Sequence, residues 1–162
     1  MEFEASGEID RRVEEVFAFV SEADNLTLWV PNVLEAGMLT EGPLAVGSRS
    51  RAVLQFLGRR FEVRFEVTAL EPNRAMTFTS VDGPFPIEIE ETFADLGGRT
   101  RVKIAMRAEP GGFFKVAQPV LSGMGKRQLD SSVGNLKDIL EARSQAPHGE
   151  DETRNVPETL DR

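Results

Sequence analysis

Few side chains in this 162-residue sequence could carry out acid–base chemistry, and Glu91 is the strongest candidate. It lies in the segment FPIEIEETFAD, where Phe85, Ile87, Ile89 and Phe93 alternate with polar residues as in a strand with one buried face. A carboxyl group on that apolar face is desolvated, which raises its pKa and suits it to act as a hydrogen-bond donor or a general acid/base. A β-bulge that turns Glu91 to solvent, or a pairing with a nearby arginine, would remove this role.

Other catalytic groups are scarce. The chain has no cysteine and no tyrosine, and its one histidine, His148, lies in a polar segment near the C-terminus. No zinc-ligand spacing, phosphate-binding glycine loop or GxSxG element occurs in the sequence. The residues therefore predict no metal and no cofactor.

The charge pattern limits the classes of partner. The net charge is -8, and no cluster of lysine and arginine interrupts the acidic sequence, which argues against nucleic acid. No stretch approaches the ~20 apolar residues of a membrane span, so we expect no integral membrane association. The opening MEFEASGEID is acidic, unlike a signal peptide, so we expect a cytoplasmic protein.

Most of the chain shows the two-residue alternation of β-strands. A first strand over residues 2–9 precedes two short helices, and about six further strands follow, joined by turns such as LGGRT. Strands that follow one another through hairpins indicate an antiparallel sheet and an α+β domain. A twisted sheet of this kind curls, and a long helix laid across its concave face would enclose space.

The segment Phe113 to Arg143 has the spacing of that long helix, but it contains Pro119, Gly123 and Gly125. Its two apolar stripes point in different directions on a straight helix. We therefore predict a bend between Pro119 and Gly125, with a packed C-terminal half and a looser N-terminal half that acts as a lid. The glycines would leave room for a ligand.

Two parts of the chain are predicted from these patterns. Residues 1–143 form one domain, and residues 144–162 form a disordered acidic tail, because they are polar, contain proline and lack periodicity.

Several segments together resemble a known family. They are the opening strand followed by VEEVFAFVSEADNLTLWVPNV, the VGS that begins a strand, the strand pair VTALEPNRAMTFTS, the hairpin FADLGGRTRV and the closing NLKDILEA. These resemble the helix-grip fold of START domains, plant Bet v 1-like proteins and bacterial polyketide cyclase/dehydrase-like proteins. The resemblance implies a curved antiparallel sheet of six to seven strands wrapped around a long C-terminal helix, with two short helices after the first strand.

The resemblance also implies a hydrophobic cavity between sheet and helix, used in different members for lipids, hormones, quinones or polyketides. We therefore expect binding or transport of a hydrophobic small molecule, by a monomer or homodimer. About half of the apolar candidates would line the cavity, since the domain also needs a core. The candidates for ligand binding are Trp29, Phe56, Phe65, Met76, Phe78, Ile89, Met106, Val120 and Met124.

Two alternatives to simple binding stay open. One is a polyketide cyclase or dehydratase-like enzyme that uses Glu91 as acid/base. The other is an interaction module that uses the charged outer face of the sheet or the acidic tail.

Overall fold

A computed structural model describes residues 1–143, so the predicted tail and His148 lie outside the described residues. The elements are, in chain order, β1 (Glu2–Ile9), α1 (Val13–Ser21), a 3₁₀ turn (Ala23–Asn25), α2 (Leu26–Trp29), β2 (Val33–Met38), β3 (Arg49–Phe56), β4 (Arg59–Glu71), β5 (Ala75–Asp82), β6 (Ile87–Asp95), β7 (Thr100–Ala108), α3 (Phe113–Val116) and α4 (Gln118–Arg143).

The strands form one seven-stranded antiparallel sheet in the order β1-β7-β6-β5-β4-β3-β2. Consecutive strands from β2 to β7 pair through hairpins, and β1 pairs with β7 over its whole length. With the helices after β1 and the long helix at the end, this confirms the predicted α+β helix-grip fold.

Irregular pairing of β4 strengthens the curl of the sheet. Its register against β5 shifts twice, between Arg64 and Phe65 and between Val67 and Ala69. Each β-bulge bends its strand and increases the local twist. The sheet therefore curves into a half-barrel whose concave face carries the apolar side chains.

The convex face of the sheet carries ion pairs between neighbouring strands. Glu8 of β1 contacts Arg99 and Arg101 at 2.8 and 3.0 Å, and Arg51 of β3 contacts Glu62 of β4 at 2.7 Å. Exposed pairs of this kind each contribute little to stability. They keep this face in water, so the alternation of each strand directs its apolar residues to the concave side.

Helix α4 lies against the edge strand β1 at close range. Lys126 and Lys137 donate hydrogen bonds from their ammonium groups to the backbone carbonyls of Glu4 and Glu8, at 2.8 and 3.0 Å. A Cβ atom on Gly7 would lie 2.8 Å from the buried side chain of Val133, so only glycine permits this approach. The helix thereby covers the edge of the sheet that another chain could otherwise pair with.

The predicted bend between Pro119 and Gly125 is wrong. Helix α4 runs without interruption from Gln118 to Arg143. The helical segment is interrupted instead at Ala117, between α3 and α4. Pro119 is in the first turn of α4, where a backbone N–H has no intrahelical acceptor and its loss costs little. A Cβ on Gly125 would lie 2.8 Å from the ring of Phe3, so the glycine allows this ring to pack against the helix.

The predicted difference in packing between the two ends of the helical segment is present. The C-terminal part buries Leu129, Val133, Leu136 and Leu140. In the N-terminal part only Leu121 is buried, and α3 contributes no buried residue. The weakly packed part is therefore α3 and the first turns of α4.

Candidate functional site

The concave face of the sheet and α4 enclose a cavity of about 170 Å³, called here the main cavity. Strands β1 to β4, β6 and β7 line it together with α2, α3 and α4, and nearly all the lining side chains are apolar. It forms because alternate residues of each curled strand point to the concave side.

Three of the phenylalanine rings that line the main cavity, Phe61, Phe85 and Phe114, form one cluster, called here the aromatic end. The ring of Phe114 meets those of Phe61 and Phe85 edge to face, with 5.1 Å between centroids in each case. Phe113, which is more than half exposed, meets Phe114 edge to face and lies under the guanidinium group of Arg59. This end is held by contacts from α3, the least packed helical segment.

Glu91 lies deeper in the main cavity. It is four residues beyond Ile87, which lies next to the aromatic end, and four residues of strand span about 13 Å. Its side chain is only 6% exposed, and one carboxyl oxygen, Oε2, has no hydrogen-bond partner among the described residues. Strand β6 pairs with both neighbours without a register shift, so no bulge turns Glu91 to solvent. The pKa of Glu91 is shifted by desolvation and by no arginine, so the alternative of an arginine partner does not hold either.

Burial raises the pKa of Glu91 from its ordinary value of 4.5 to about 8. The cause is desolvation, since the charged form loses water and gains no compensating cation or donor. The carboxyl group is therefore largely protonated at neutral pH and can donate a hydrogen bond into the cavity.

Trp29, the only tryptophan, ends the short helix α2 and lines the same cavity. It is 2% exposed, and its indole N–H has no acceptor among residues 1–143. Its backbone carbonyl accepts a hydrogen bond of 3.3 Å from Asn135, which ties α2 to α4. The side chain therefore belongs to the wall of the cavity and not to an exposed mouth.

Gln128 brings a third polar group to the cavity, from the inner side of α4. It lies seven residues beyond Leu121, about 10 Å along the helix and away from the aromatic end. Its buried amide nitrogen Nε2 has no acceptor within the described part of the chain. Ser132, one turn on, donates to the Gln128 backbone carbonyl at 2.8 Å and so has a partner.

A smaller cavity of about 80 Å³ adjoins the main one. Four residues line both cavities, namely Leu26, Phe65, Ile89 and Glu91. The smaller cavity also meets the hydroxyl-bearing side chains Ser21, Ser48 and Ser50. Glu91 therefore stands at the junction between an apolar space and a more polar one.

Six of the nine predicted ligand-binding residues line one of the two cavities. Those that line the main cavity are Trp29, Phe56, Phe65, Ile89 and Met106, while Phe78 lines only the smaller one. Whether any of them binds a ligand stays a prediction.

The other three predicted positions line neither cavity. Met76 lines neither cavity, because it is fully buried in the hydrophobic core together with residues of α1 and β7. Val120 is 57% exposed and faces away from the sheet, and Met124, half-buried, lines neither cavity. The helical register explains both errors, since the inner stripe of α4 passes through Leu121 and Gly125.

The sequence patterns missed other lining residues, among them Phe61, Phe85, Phe114, Leu121, Gln128 and Ser132. The inner stripe of α4 runs Leu121, Gly125, Gln128 and Ser132, with steps of four, three and four residues. A search for apolar periodicity passes over it because three of these residues are not apolar. The spacing of these four residues is that of one helix face, and it would have identified them if polar residues had also been counted on the inward face.

No group of three or more potential metal ligands comes together within residues 1–143. In the same part of the chain, no helix is both long and apolar enough to cross a membrane.

Comparison with known families gives a match over nearly the whole described chain. The model of the family described as polyketide cyclase / dehydrase and lipid transport matches residues 1–141. A comparison with curated protein sequences gives no significant match.

Solved structures share the fold at low sequence identity. The protein TTHA0849 from Thermus thermophilus has a TM-score of 0.77 at 20% identity, covering 89% of this chain and 99% of that one. The Zhui aromatase/cyclase from Streptomyces sp. R1128 has a TM-score of 0.76 at 15% identity, covering 90% and 96%. A START superfamily protein from Mycobacterium smegmatis has a TM-score of 0.67 at 18% identity, covering 89% and 97%.

The raised pKa of Glu91 predicts an unusual dependence of stability on pH. Above about pH 4.5 the unfolded chain releases the proton of Glu91, whereas the folded chain keeps it up to about pH 8. The contribution of this group to stability therefore falls as the pH rises through that window. Chemical denaturation at several pH values should show Glu91→Gln gaining roughly 3 kcal/mol relative to the native chain between about pH 5 and about pH 8.

Glu90→Gln is the matched control, because Glu90 is the neighbouring residue on β6 and is exposed. Its stability curve should run parallel to that of the native chain. If the Glu91→Gln curve also runs parallel to the native one, Glu91 is not desolvated.

Proposed function

The chain belongs to the polyketide cyclase / dehydrase and lipid transport family. We propose that it binds or transports a small hydrophobic molecule, which it holds in the main cavity. The observation that supports this function is the apolar lining of a cavity of about 170 Å³ inside a domain of ordinary core composition.

The energetics of the cavity favour a binding role over a purely structural one. Unfilled space of this size costs roughly 4 kcal/mol of stability, at ~24 cal/mol per Å³. That is a large part of the net stability of a typical domain, ~5–15 kcal/mol. A ligand that fills the space recovers dispersion contacts and buries its own apolar surface.

The size of the cavity limits the ligand. Drug-sized molecules occupy pockets of ~300–1,000 Å³, whereas an engineered apolar cavity of ~150 Å³ binds benzene. The main cavity therefore suits a molecule, or part of one, of about one or two rings. The weakly packed α3 at the aromatic end is the natural route of entry, since few contacts must break to open it.

Binding is tested with propylbenzene, followed by the fluorescence of Trp29. The chain has one tryptophan and no tyrosine, so its emission reports on the cavity wall alone. Titration should give a saturable change in emission. Ala52→Leu, which adds bulk to the cavity wall, should weaken binding at least about tenfold.

Ala94→Leu is the control for that substitution, because Ala94 is exposed on the opposite face of β6. It should leave the affinity unchanged. A native chain that shows no saturable response, or an Ala52→Leu variant that binds as well as Ala94→Leu, would count against ligand binding in the main cavity.

A second candidate function is a cyclase or dehydratase-like enzyme in which Glu91 acts as acid/base. The observation that favours it is the cavity-facing carboxyl group with a pKa of about 8, which holds both protonated and ionised forms near neutral pH. The ionised form can remove a proton next to a ketone, and the protonated form can return one.

Exchange of the α-hydrogens of 2-tetralone in heavy water, followed by NMR, tests this chemistry without knowledge of the substrate. The native chain and Glu90→Gln should accelerate the exchange over buffer, and Glu91→Gln should not. If the native chain fails to accelerate it while still binding propylbenzene, the binding function remains and the enzymatic one is rejected.

A further inference from the structure

The polar atoms that line the main cavity indicate the chemical class of the ligand. Resting on the binding function proposed above, we propose that this ligand is an apolar molecule with one hydroxyl group, and that the hydroxyl is held by Trp29, Glu91 and Gln128. These three residues define what is called here the polar end of the cavity. The apolar body of the ligand then extends towards the aromatic end.

The first support is the hydrogen-bonding state of the three groups. Indole Nε1 of Trp29, amide Nε2 of Gln128 and carboxyl Oε2 of Glu91 are buried without a hydrogen-bond partner in residues 1–143. Trp29 and Glu91 are each more than nine-tenths buried. Buried polar groups in native proteins almost always have partners, because an unpaired one loses its hydration and gains nothing in exchange.

The second support is that the three groups line one cavity although they come from three different elements. Trp29 ends α2, Glu91 lies in the middle of β6, and Gln128 lies on α4. No local feature of a single helix or strand can account for three unpaired groups in one wall. A polar group of a bound molecule would pair with them.

The match to a hydroxyl follows from the number of donors and acceptors. The indole and amide nitrogens can only donate, while the neutral carboxyl group of Glu91 has one oxygen that can accept and one O–H that can donate. A hydroxyl oxygen has two lone pairs for the two N–H groups and one hydrogen for the carboxyl oxygen. A hydrocarbon would leave all three groups unpaired.

The position of the polar groups gives the orientation of the ligand. Glu91 and Gln128 lie about 10 to 13 Å further along their elements than Ile87 and Leu121, which are the first cavity-lining residues of β6 and α4 after Phe85 and Phe114. At the opposite end the wall consists of phenylalanine rings. A molecule that enters past Phe114 would therefore enter with its hydroxyl first.

The test compares 4-propylphenol with propylbenzene by calorimetry on the full chain. The two probes share an apolar body and differ by one hydroxyl group. We expect the phenol to bind about tenfold more tightly than the hydrocarbon, since two or three hydrogen bonds outweigh its lost hydration. In a wall without available partners, the same hydroxyl would instead weaken binding by about tenfold or more.

Three variants test which residues hold the hydroxyl. Gln128→Leu, Glu91→Leu and Trp29→Phe each remove one of the three partners and should each lower the ratio of the two affinities, by up to about tenfold. The ratio cancels losses that come from packing alone, because both probes share those losses. Gln118→Leu at the exposed start of α4, and Glu90→Gln, should keep the native ratio.

The outcomes separate this inference from the binding function. If both probes bind with equal affinity, or the phenol binds more weakly, the hydroxyl-binding role is wrong while the apolar cavity still binds. A native preference that survives Gln128→Leu and Glu91→Leu also overturns the role. If neither probe binds, the binding function itself fails.

Discussion

A single long helix cannot cover the whole apolar face of a curled seven-stranded sheet, and the rest of the structure follows from this constraint. Helix α4 is fixed close to one edge, where Gly7 allows contact with Val133 and two lysines bind the backbone of β1. The bulges in β4 increase the curvature of the sheet on the side of β4, β3 and β2, which is the side opposite β1. The concave face between them is left as a lined cavity instead of a packed core.

Desolvation then gives the few polar groups in that cavity their chemical character. Glu91 would be an ordinary carboxylate on the convex face, where acidic side chains such as Glu8 pair with arginines that lower the pKa. Facing inward on β6, it has no such partner, and its pKa rises to about 8. The same strand thus carries solvated carboxylates on one face and a neutral hydrogen-bonding acid on the other.

The sequence patterns predicted what depends on local periodicity. Strand alternation was sufficient to order the sheet and to turn Glu91 inward, because each step along a strand reverses the side chain. It could not identify Gln128 as a cavity residue, because a polar side chain does not add to an apolar stripe. It also could not show that Met76 belongs to the packed core and not to the cavity wall. The bend assigned to Pro119 failed for a related reason: the cost of a proline depends on where the helix begins, and that residue lies in the first turn.

The acid–base function and the hydroxyl-binding role proposed for Glu91 depend most directly on the desolvation of its carboxyl group. NMR of the chain labelled with ¹³C at glutamate side-chain carboxyl groups, with Glu91→Gln used to assign the signal, follows this group alone. The desolvated site predicts a titration midpoint near 8, well separated from the other glutamates. A midpoint close to the ordinary value of 4.5 would mean that water or a charge reaches Glu91, and would contradict the desolvated site on which its acid–base and hydroxyl-binding roles rest.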